Sequence, residues 1–566
     1  MRFLPTSPFR LPRLSPYEPS PSDPLLFGFN NERDAIIEET ARRVAEQHSK
    51  NRHRLEQVLN DAAYNETRRL SHQHDQEARE SLGFWRGLVR RVGRMSDDEK
   101  RGLLLEISRR MAKDVAGNFD PRVYKWSERV TPRLITAVMK PTSLPFELLA
   151  GGEESLDEAL LIEGEIEKLR VLARKGTLVF VPTHVSNMDS VVFGYGLMRA
   201  GLPPVIYGAG KNLFTNPIIS FFMHNLGAYR VDRRVKAHLY KEVLKAYSSV
   251  VLERGYHSLF FPGGTRSRSG LIENRLKLGL AGSAVEAFAR NGVADRKRPL
   301  WFVPATINYA LVLEAETLIE DHLSEHGRAR YIIEDDEFSR LERWIAFLRK
   351  LTSLKGACII RFGAPIDPFG NDVDEEGRSI TPHGRVIDPV SYVMRRGAPV
   401  LDPQRDAAYT RDLGETLVER FAAETVVMAT QLVAHVLFRR LVRATPGVDL
   451  FTRIRHRGDV TVPREELVRE VSETRDALLD LVKGGKVHAS PTTRLASPEE
   501  IVSRVLAAWN GYHRRVAARD NGIEVIAEDP TMLLYYQNRL VPFAERIADA
   551  SNMHAAREIA QMERMS

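Results

Sequence analysis

The 566-residue sequence predicts an α/β protein: a mainly parallel sheet flanked by helices, with helical regions before and after it. Three observations predict this. Short apolar, β-branched runs recur between residues 177 and 362, helix-like stretches separate them, and polar segments rich in glycine or arginine follow directly after them. Strands alternating with helices imply crossover connections, and so parallel strands buried on both faces.

Taken in order, residues 1–29 open with seven prolines in the first 24 positions, which predicts an extended, poorly ordered arm. That arm has no continuous apolar stretch of the kind a secretory signal needs. Residues 30–150 are predicted helical. To about Glu80 they are charged and short of large apolar residues, which suggests surface helices or a partly ordered arm. Ser96-Asp97-Asp98-Glu99 then has the form of a capping box opening a helix that stops at Gly117. Residues 151–367 carry the α/β pattern, with strands predicted at 177–181, 204–207, 228–231, 258–261, 300–304 and 357–362. Helices are predicted at 235–253 and 276–290. Residues 368–405, rich in Gly, Pro and Asp, read as a loop or linker. Residues 406–566 form a helical C-terminal domain, with helices at 406–444, 464–482, 498–515 and 530–550.

Composition narrows the partners. The 43% hydrophobic and 28% charged content is that of a globular chain, and the net charge of +7 biases its surface toward anionic partners. Lipid headgroups and acidic carrier proteins fit that charge. Nucleic acid fits it too but is not the expected partner, because no recognised module appears and the basic residues are scattered. Cys358 is the only cysteine, which excludes an intrachain disulfide, a thiolate-rich zinc site and a CxxC pair, and fits a reducing cytoplasm. No apolar run reaches the length of a membrane span. The nearest, 426–438, contains Gln431 and His435 and reads as a buried core helix, so membrane contact is expected to be peripheral.

Chemistry gathers after the strands. His184 to Asp189 follow the first, Asp232-Arg233-Arg234 the third, and Pro262 to Gly270 the fourth, while the fifth runs into 305–309. Ligand sites in open α/β sheets form at the carboxyl ends of strands. Five positions separate His184 from Asp189, which lets the carboxylate fold back onto one ring nitrogen and leave the other as a base. The plainer alternative is a satisfied histidine beside a helix-capping aspartate. Two such ligands make no catalytic zinc site and no HExxH occurs, so neither metal nor cofactor is expected. In Gly263-Gly264-Thr265-Arg266-Ser267-Arg268, glycines allow close backbone approach and the arginines offer forked bonds to phosphate. No Walker GKS/T follows, and loop arginines also commonly just face solvent.

Together, His-x4-Asp, Gly227-Ala228-Tyr229-Arg230-Val231-Asp232-Arg233, Phe261 to Arg268 and Val303-Pro304 resemble the four-block signature of glycerolipid acyltransferases. Lys211-Asn212-Leu213 and Met532 to Asn538 are similar to the bacterial membrane-bound glycerol-3-phosphate acyltransferases and their dihydroxyacetone-phosphate relatives. The strong likeness covers about residues 170–370. It implies the glycerolipid acyltransferase fold, with His184 as general base steadied by Asp189. It further implies that Arg266, Arg268, Arg233 and Lys211 hold a substrate phosphate, and that Gly263, Gly264, Thr265 and Ser267 form the substrate loop. The implied partners are glycerol 3-phosphate and either acyl-CoA or acyl-carrier protein, at the cytoplasmic face of the cell membrane. The same machinery could acylate dihydroxyacetone phosphate or a lysophospholipid, or survive in a non-catalytic lipid-binding or scaffold protein. One departure stands out. The third block usually has Glu where this chain has Gly263, although the soluble chloroplast branch has a Gly-Gly-Arg form there. That departure bears on substrate preference and on catalytic competence. The apolar stretch 213–223, between two site segments, fits either a helix packed on the sheet or an interfacial segment.

Overall fold

The structure, a computed structural model, describes residues 19–49, 52–72, 76–128, 159–210, 217–232, 235–326, 356–510, 513 and 515–549. Residues 1–18 of the expected arm lie outside these residues, whereas 19–29 are ordered: Leu25–Gly28 form a 3-10 turn, and Leu26 and Phe27 are buried in the helical core.

Four helices come first: α1 (Phe29–Ser49), α2 (Arg52–Leu70), α3 (Gln76–Arg91) and α4 (Asp97–Val115). The expected capping box is present at α4. The Glu99 amide donates to Ser96 Oγ at 3.2 Å, and the Ser96 amide donates to the Glu99 carboxylate at 2.7 Å. Such a cap contributes about 1 kcal/mol. Residues 30–80 are more than a surface arm. Ile36, Val44, Leu59 and Leu104 are buried in a core shared with Tyr247, Val250 and Val251 of the sheet-flanking helix His238–Glu253. Their apolar stripe is narrow, and it becomes a core only because another helix covers it.

The α/β region runs β1 (Leu160–Gly164), α5 (Ile166–Lys175), β2 (Thr177–Pro182), α6 (Asp189–Arg199), β3 (Ile206–Gly210), α7 (Pro217–Asn225), β4 (Ala228–Val231), α8 (His238–Glu253), β5 (Ser258–Leu259), α9 (Gly279–Val293), β6 (Leu300–Tyr309), α10 (Ala315–His326) and β7 (Cys358–Phe362). The strands form one sheet in the order β1-β7-β6-β2-β5-β3-β4. From β6 to β4 all neighbours are parallel, β7 runs antiparallel to β6, and β1 is parallel to β7. The sheet is mainly parallel, as its sequence predicts. Strand β2 is central and every one of its residues is buried. Its Val179 sits opposite Phe302 of β6 on one side and Ser258 of β5 on the other. That register brings the carboxyl ends of β2, β5 and β6 to one edge.

Beyond Asp367 the chain is more ordered than a loop. Asp372–Val373, Ser379–Ile380 and Val386–Ile387 make a small antiparallel sheet, and Met394–Arg395 pairs with Ala398–Pro399. The helices that follow are α11 (Pro403–Ala423), α12 (Ala429–Ala444), α13 (Arg464–Lys483), α14 (Pro498–Trp509) and α15 (Pro530–Gln537). The single helix expected over 406–444 is broken, because Val426–Val427 pairs in parallel with His488–Ala489. The apolar run that follows, including Leu432, Val433 and Leu437, is fully buried in α12. These helices share one continuous core with the sheet. Among the described residues, no helix is long and apolar enough to cross a membrane.

Candidate active site

His184 lies two residues past the end of β2, and Asp189 is the first residue of α6. The carboxylate folds back as its spacing suggests. Asp189 Oδ2 lies 2.8 Å from His184 Nδ1, and it also accepts the amides of Val185 at 2.6 Å and Ser186 at 2.9 Å. Oδ1 accepts the Tyr309 hydroxyl at 2.8 Å. Asp189 is completely buried, and the charge it brings in is met by four donors. Burial and the neighbouring Asp189 push the Tyr309 hydroxyl well above its ordinary range, so it stays a donor. A carboxylate at Nδ1 assigns the proton to that nitrogen and leaves the Nε2 lone pair free. The imidazole stacks on Phe261 with ring centroids 4.3 Å apart.

The two peptide groups that flank the His184 Cα are both held. The His184 N–H donates to Glu273 Oε1 at 2.6 Å, and the His184 carbonyl accepts the Ser267 amide at 2.8 Å. The second bond ties the arginine loop to the histidine.

That loop, after β5, carries Arg266 and Arg268. Arg266 pairs with Glu314 at 3.2 Å, and Arg268 pairs with Glu325 of α10. Glu314 is buried and also accepts Ser186 Oγ and the Asn187 amide, both at 2.9 Å. Burial pushes its carboxyl up, and Arg266 is the chief group opposing that. Gly264 has φ +70, a conformation that glycine adopts without penalty, and a Cβ there would meet the Lys277 side chain at 2.5 Å. The Lys277 side chain therefore lies against the arginine loop, a neighbouring cation that the motif did not reveal. Thr265 is exposed, whereas Ser267 spends its hydroxyl on the Leu271 carbonyl at 2.8 Å. The C-terminal helices brace the loop from behind. Asn538 donates to the Ser269 carbonyl at 2.8 Å, and the buried Arg539 lies 3.4 Å from the Ile307 carbonyl. Lys211 and Arg233, the two remaining cations expected around phosphate, lie outside the described residues.

Three site carboxylates or hydroxyls were not singled out by the sequence reading: Tyr309, Glu314 and Glu273. The first two lie at and beyond the end of β6, where position alone was a signal. Glu273 sits ten residues past Gly263 in the same loop, and nothing local marks it.

The acyltransferase family model matches residues 164–308. This chain carries an acyltransferase domain. The domain takes in His184, Asp189, the whole arginine loop and most of β6, and leaves Glu314 and Arg539 beyond its end. The glycerol-3-phosphate acyltransferases of Pseudomonas paraeruginosa (strain PA7) and Pseudomonas aeruginosa (strain PAO1) are each 34% identical to it over 155 residues. That stretch is 27% of this chain and 18% of theirs, so the chain matches less than a fifth of the length of these curated relatives. Among solved structures, the 1-acyl-sn-glycerophosphate (LPA) acyltransferase PlsC of Thermotoga maritima is 16% identical, with a TM-score of 0.23. It covers 44% of this chain and 90% of its own.

Proposed function

We propose that this protein transfers a fatty acyl group from acyl-CoA or acyl-carrier protein to the 1-hydroxyl of glycerol 3-phosphate at a membrane surface. The observation that carries the reading is the His184–Asp189 pair, which leaves Nε2 free while the His184 backbone carbonyl accepts the Ser267 amide of a loop bearing two arginines. The reaction needs a base that takes one proton and a cationic surface that holds one phosphate.

In this mechanism the substrate hydroxyl gives its proton to His184 Nε2 as its oxygen bonds to the thioester carbonyl carbon. The carbon–sulfur bond then breaks, and the imidazolium returns the proton to the departing thiolate. Asp189 keeps Nδ1 protonated throughout and stabilises the transient cation. No acyl-enzyme forms, because the alcohol is itself the nucleophile. Arg266 and Arg268 take the phosphate by exchanging their present carboxylate partners for it, with Lys277 beside them. Lys211 and Arg233 complete this set in the reading drawn from the family blocks.

A membrane position is supported by the basic charge and by one apolar feature. Trp126, half exposed, stacks on Phe222 of α7 with centroids 5.7 Å apart. Peripheral attachment at the cytoplasmic face predicts release by high salt or alkaline carbonate. A need for detergent would contradict it.

An acyl-transfer assay with radiolabelled glycerol 3-phosphate and both donors tests the reading. Labelled lysophosphatidic acid with either donor supports it. Turnover only on dihydroxyacetone phosphate or a lysophospholipid would reassign the acceptor. Binding without turnover on any of them would reject the enzymatic reading.

A further inference from the structure

The departure at Gly263 has a structural counterpart. Gly263 is not among the glycines with left-handed backbone, so its conformation does not call for glycine. What crowds a side chain there is the Glu273 carboxyl, which would have to move aside. The three nearest atoms that an added Cβ would meet are this residue's Cδ at 2.9 Å and its Oε1 and Oε2 at 3.0 Å each. Glu273 reaches the surface elsewhere along its length, but Oε2 is shut off from solvent and has no hydrogen-bond partner. Oε1 accepts the His184 amide at 2.6 Å. The carboxyl group therefore occupies the space of a side chain at 263 and holds the backbone of the proposed base.

We propose that the Glu273 carboxyl, from ten residues downstream, takes the space that a side chain at position 263 would need, and that Glu273 is a positioning residue for His184. It acts through the peptide and not on substrate. Glu273 holds the peptide group before the His184 Cα and Ser267 the one after it, so the backbone from which the imidazole projects is restrained on both sides. Asp189 then sets only the ring. Without Glu273 a buried amide next to the base loses its acceptor, and the peptide turns to find another. A misplacement of about 1 Å at a reacting group can cost on the order of a hundredfold in rate. The positioning role rests on the acyl-transfer reading, whereas the shared space does not.

The test uses the full chain in five forms: wild type, Glu273→Ala, Glu273→Gln, Gly263→Glu, and the double variant of Gly263→Glu with Glu273→Ala. Each is measured for kcat and for KM toward glycerol 3-phosphate, and for its thermal midpoint. Glu273→Ala should lower kcat about 10- to 100-fold while KM changes less than about threefold. Gly263→Glu alone should lose both activity and thermal stability, since two carboxyl groups compete for one space. The double variant should regain at least about tenfold in kcat over Glu273→Ala, and a higher midpoint than Gly263→Glu. Glu273→Gln, which keeps the acceptor oxygen, should recover most of the loss seen with alanine. The proposal is overturned if Gly263→Glu is as stable and active as wild type, or if the double variant is no better than the worse single. If Glu273→Ala fails to fold, the glutamine and double variants still decide. If wild type itself transfers no acyl group to any acceptor, the functional reading and the positioning role fall together. The midpoints then decide by themselves whether positions 263 and 273 share one space.

Discussion

His184 and the arginine pair belong to one site, yet they are held in opposite ways. The imidazole is fixed by a buried carboxylate that itself has four donors, and the peptide groups on both sides of the His184 Cα are bonded. The bonds that orient the imidazole on this side are all made without substrate. Arg266 and Arg268 are instead neutralised by Glu314 and Glu325, so any phosphate must displace or outcompete an internal anion. The difference teaches that orientation of the base is built into folding, whereas anion binding is an exchange. Defects on the base side should then appear in kcat, and defects on the arginine side in KM.

The largest effect tests the base side. His184→Ala should lower kcat roughly 10²- to 10⁴-fold with little change in KM for glycerol 3-phosphate. Asp189→Asn should cost similarly in rate and should also lower the thermal midpoint, because an amide group would then face buried donors. A folded His184→Ala protein with near-wild-type turnover would remove the base from the mechanism.

The second prediction concerns the carboxyl beneath the base. Burial pushes Glu273 up to about 7. A raised carboxyl binds its proton more tightly folded than unfolded, so its contribution to stability falls as pH rises from about 4.5 to about 7 and is flat above. Glu273→Gln removes that dependence. Between about pH 4 and pH 8, stability should shift in favour of the variant by on the order of 3 kcal/mol, read from thermal midpoints across the range. Parallel pH profiles for the two proteins would show that the carboxyl does not titrate there.

Next come the arginines, where the two pairs differ from each other. Arg266→Ala and Arg268→Ala should each weaken glycerol 3-phosphate binding by about 1.5–3 kcal/mol, seen in KM, with donor affinity nearly unchanged. Lysine at either position should restore only part, since a point charge lacks the fork. Only Arg266→Ala should also lower the midpoint, by about 1–3 kcal/mol of stability, because it strips a partner from Glu314, which is 1% exposed. The Glu325 side chain is 55% exposed and loses little when Arg268 goes. A donor-affinity defect with acceptor affinity intact would move this loop to the nucleotide or carrier phosphate.

The same contrast runs through what the sequence disclosed. His184 and Asp189 were legible because their pairing is local, set by a strand end and a spacing of five. The strands themselves were legible from apolar runs, with β4 found to the residue and β6 underestimated because Thr306 and Asn308 look polar while being fully buried. Their partners come from afar, such as the Glu424 carbonyl for Thr306 at 2.7 Å. Glu273 and Glu314 were illegible for the same reason, since each meets the site only after a loop has closed. The break at Val426–Val427 depends on a strand sixty residues later, and no local propensity encodes that.

The smallest prediction separates two neighbouring hydroxyls in the arginine loop. Ser267 Oγ donates to the Leu271 carbonyl, so it closes the loop and has no donor left for a ligand. Thr265 is exposed, and among the described residues nothing bonds its hydroxyl, which leaves it able to donate to a phosphate oxygen. A neutral hydrogen bond of this kind contributes about 0.5–1.5 kcal/mol. Thr265→Ala should therefore raise KM for glycerol 3-phosphate roughly 2- to 10-fold and leave the thermal midpoint where it was. Ser267→Ala should do the reverse in emphasis. It lowers the midpoint first, and alters KM only as far as the loosened loop misplaces Arg266 and Arg268. If Thr265→Ala lowered the midpoint and Ser267→Ala acted on KM alone, the two hydroxyls would have exchanged roles. The loop would then have to close differently around substrate than it does without it.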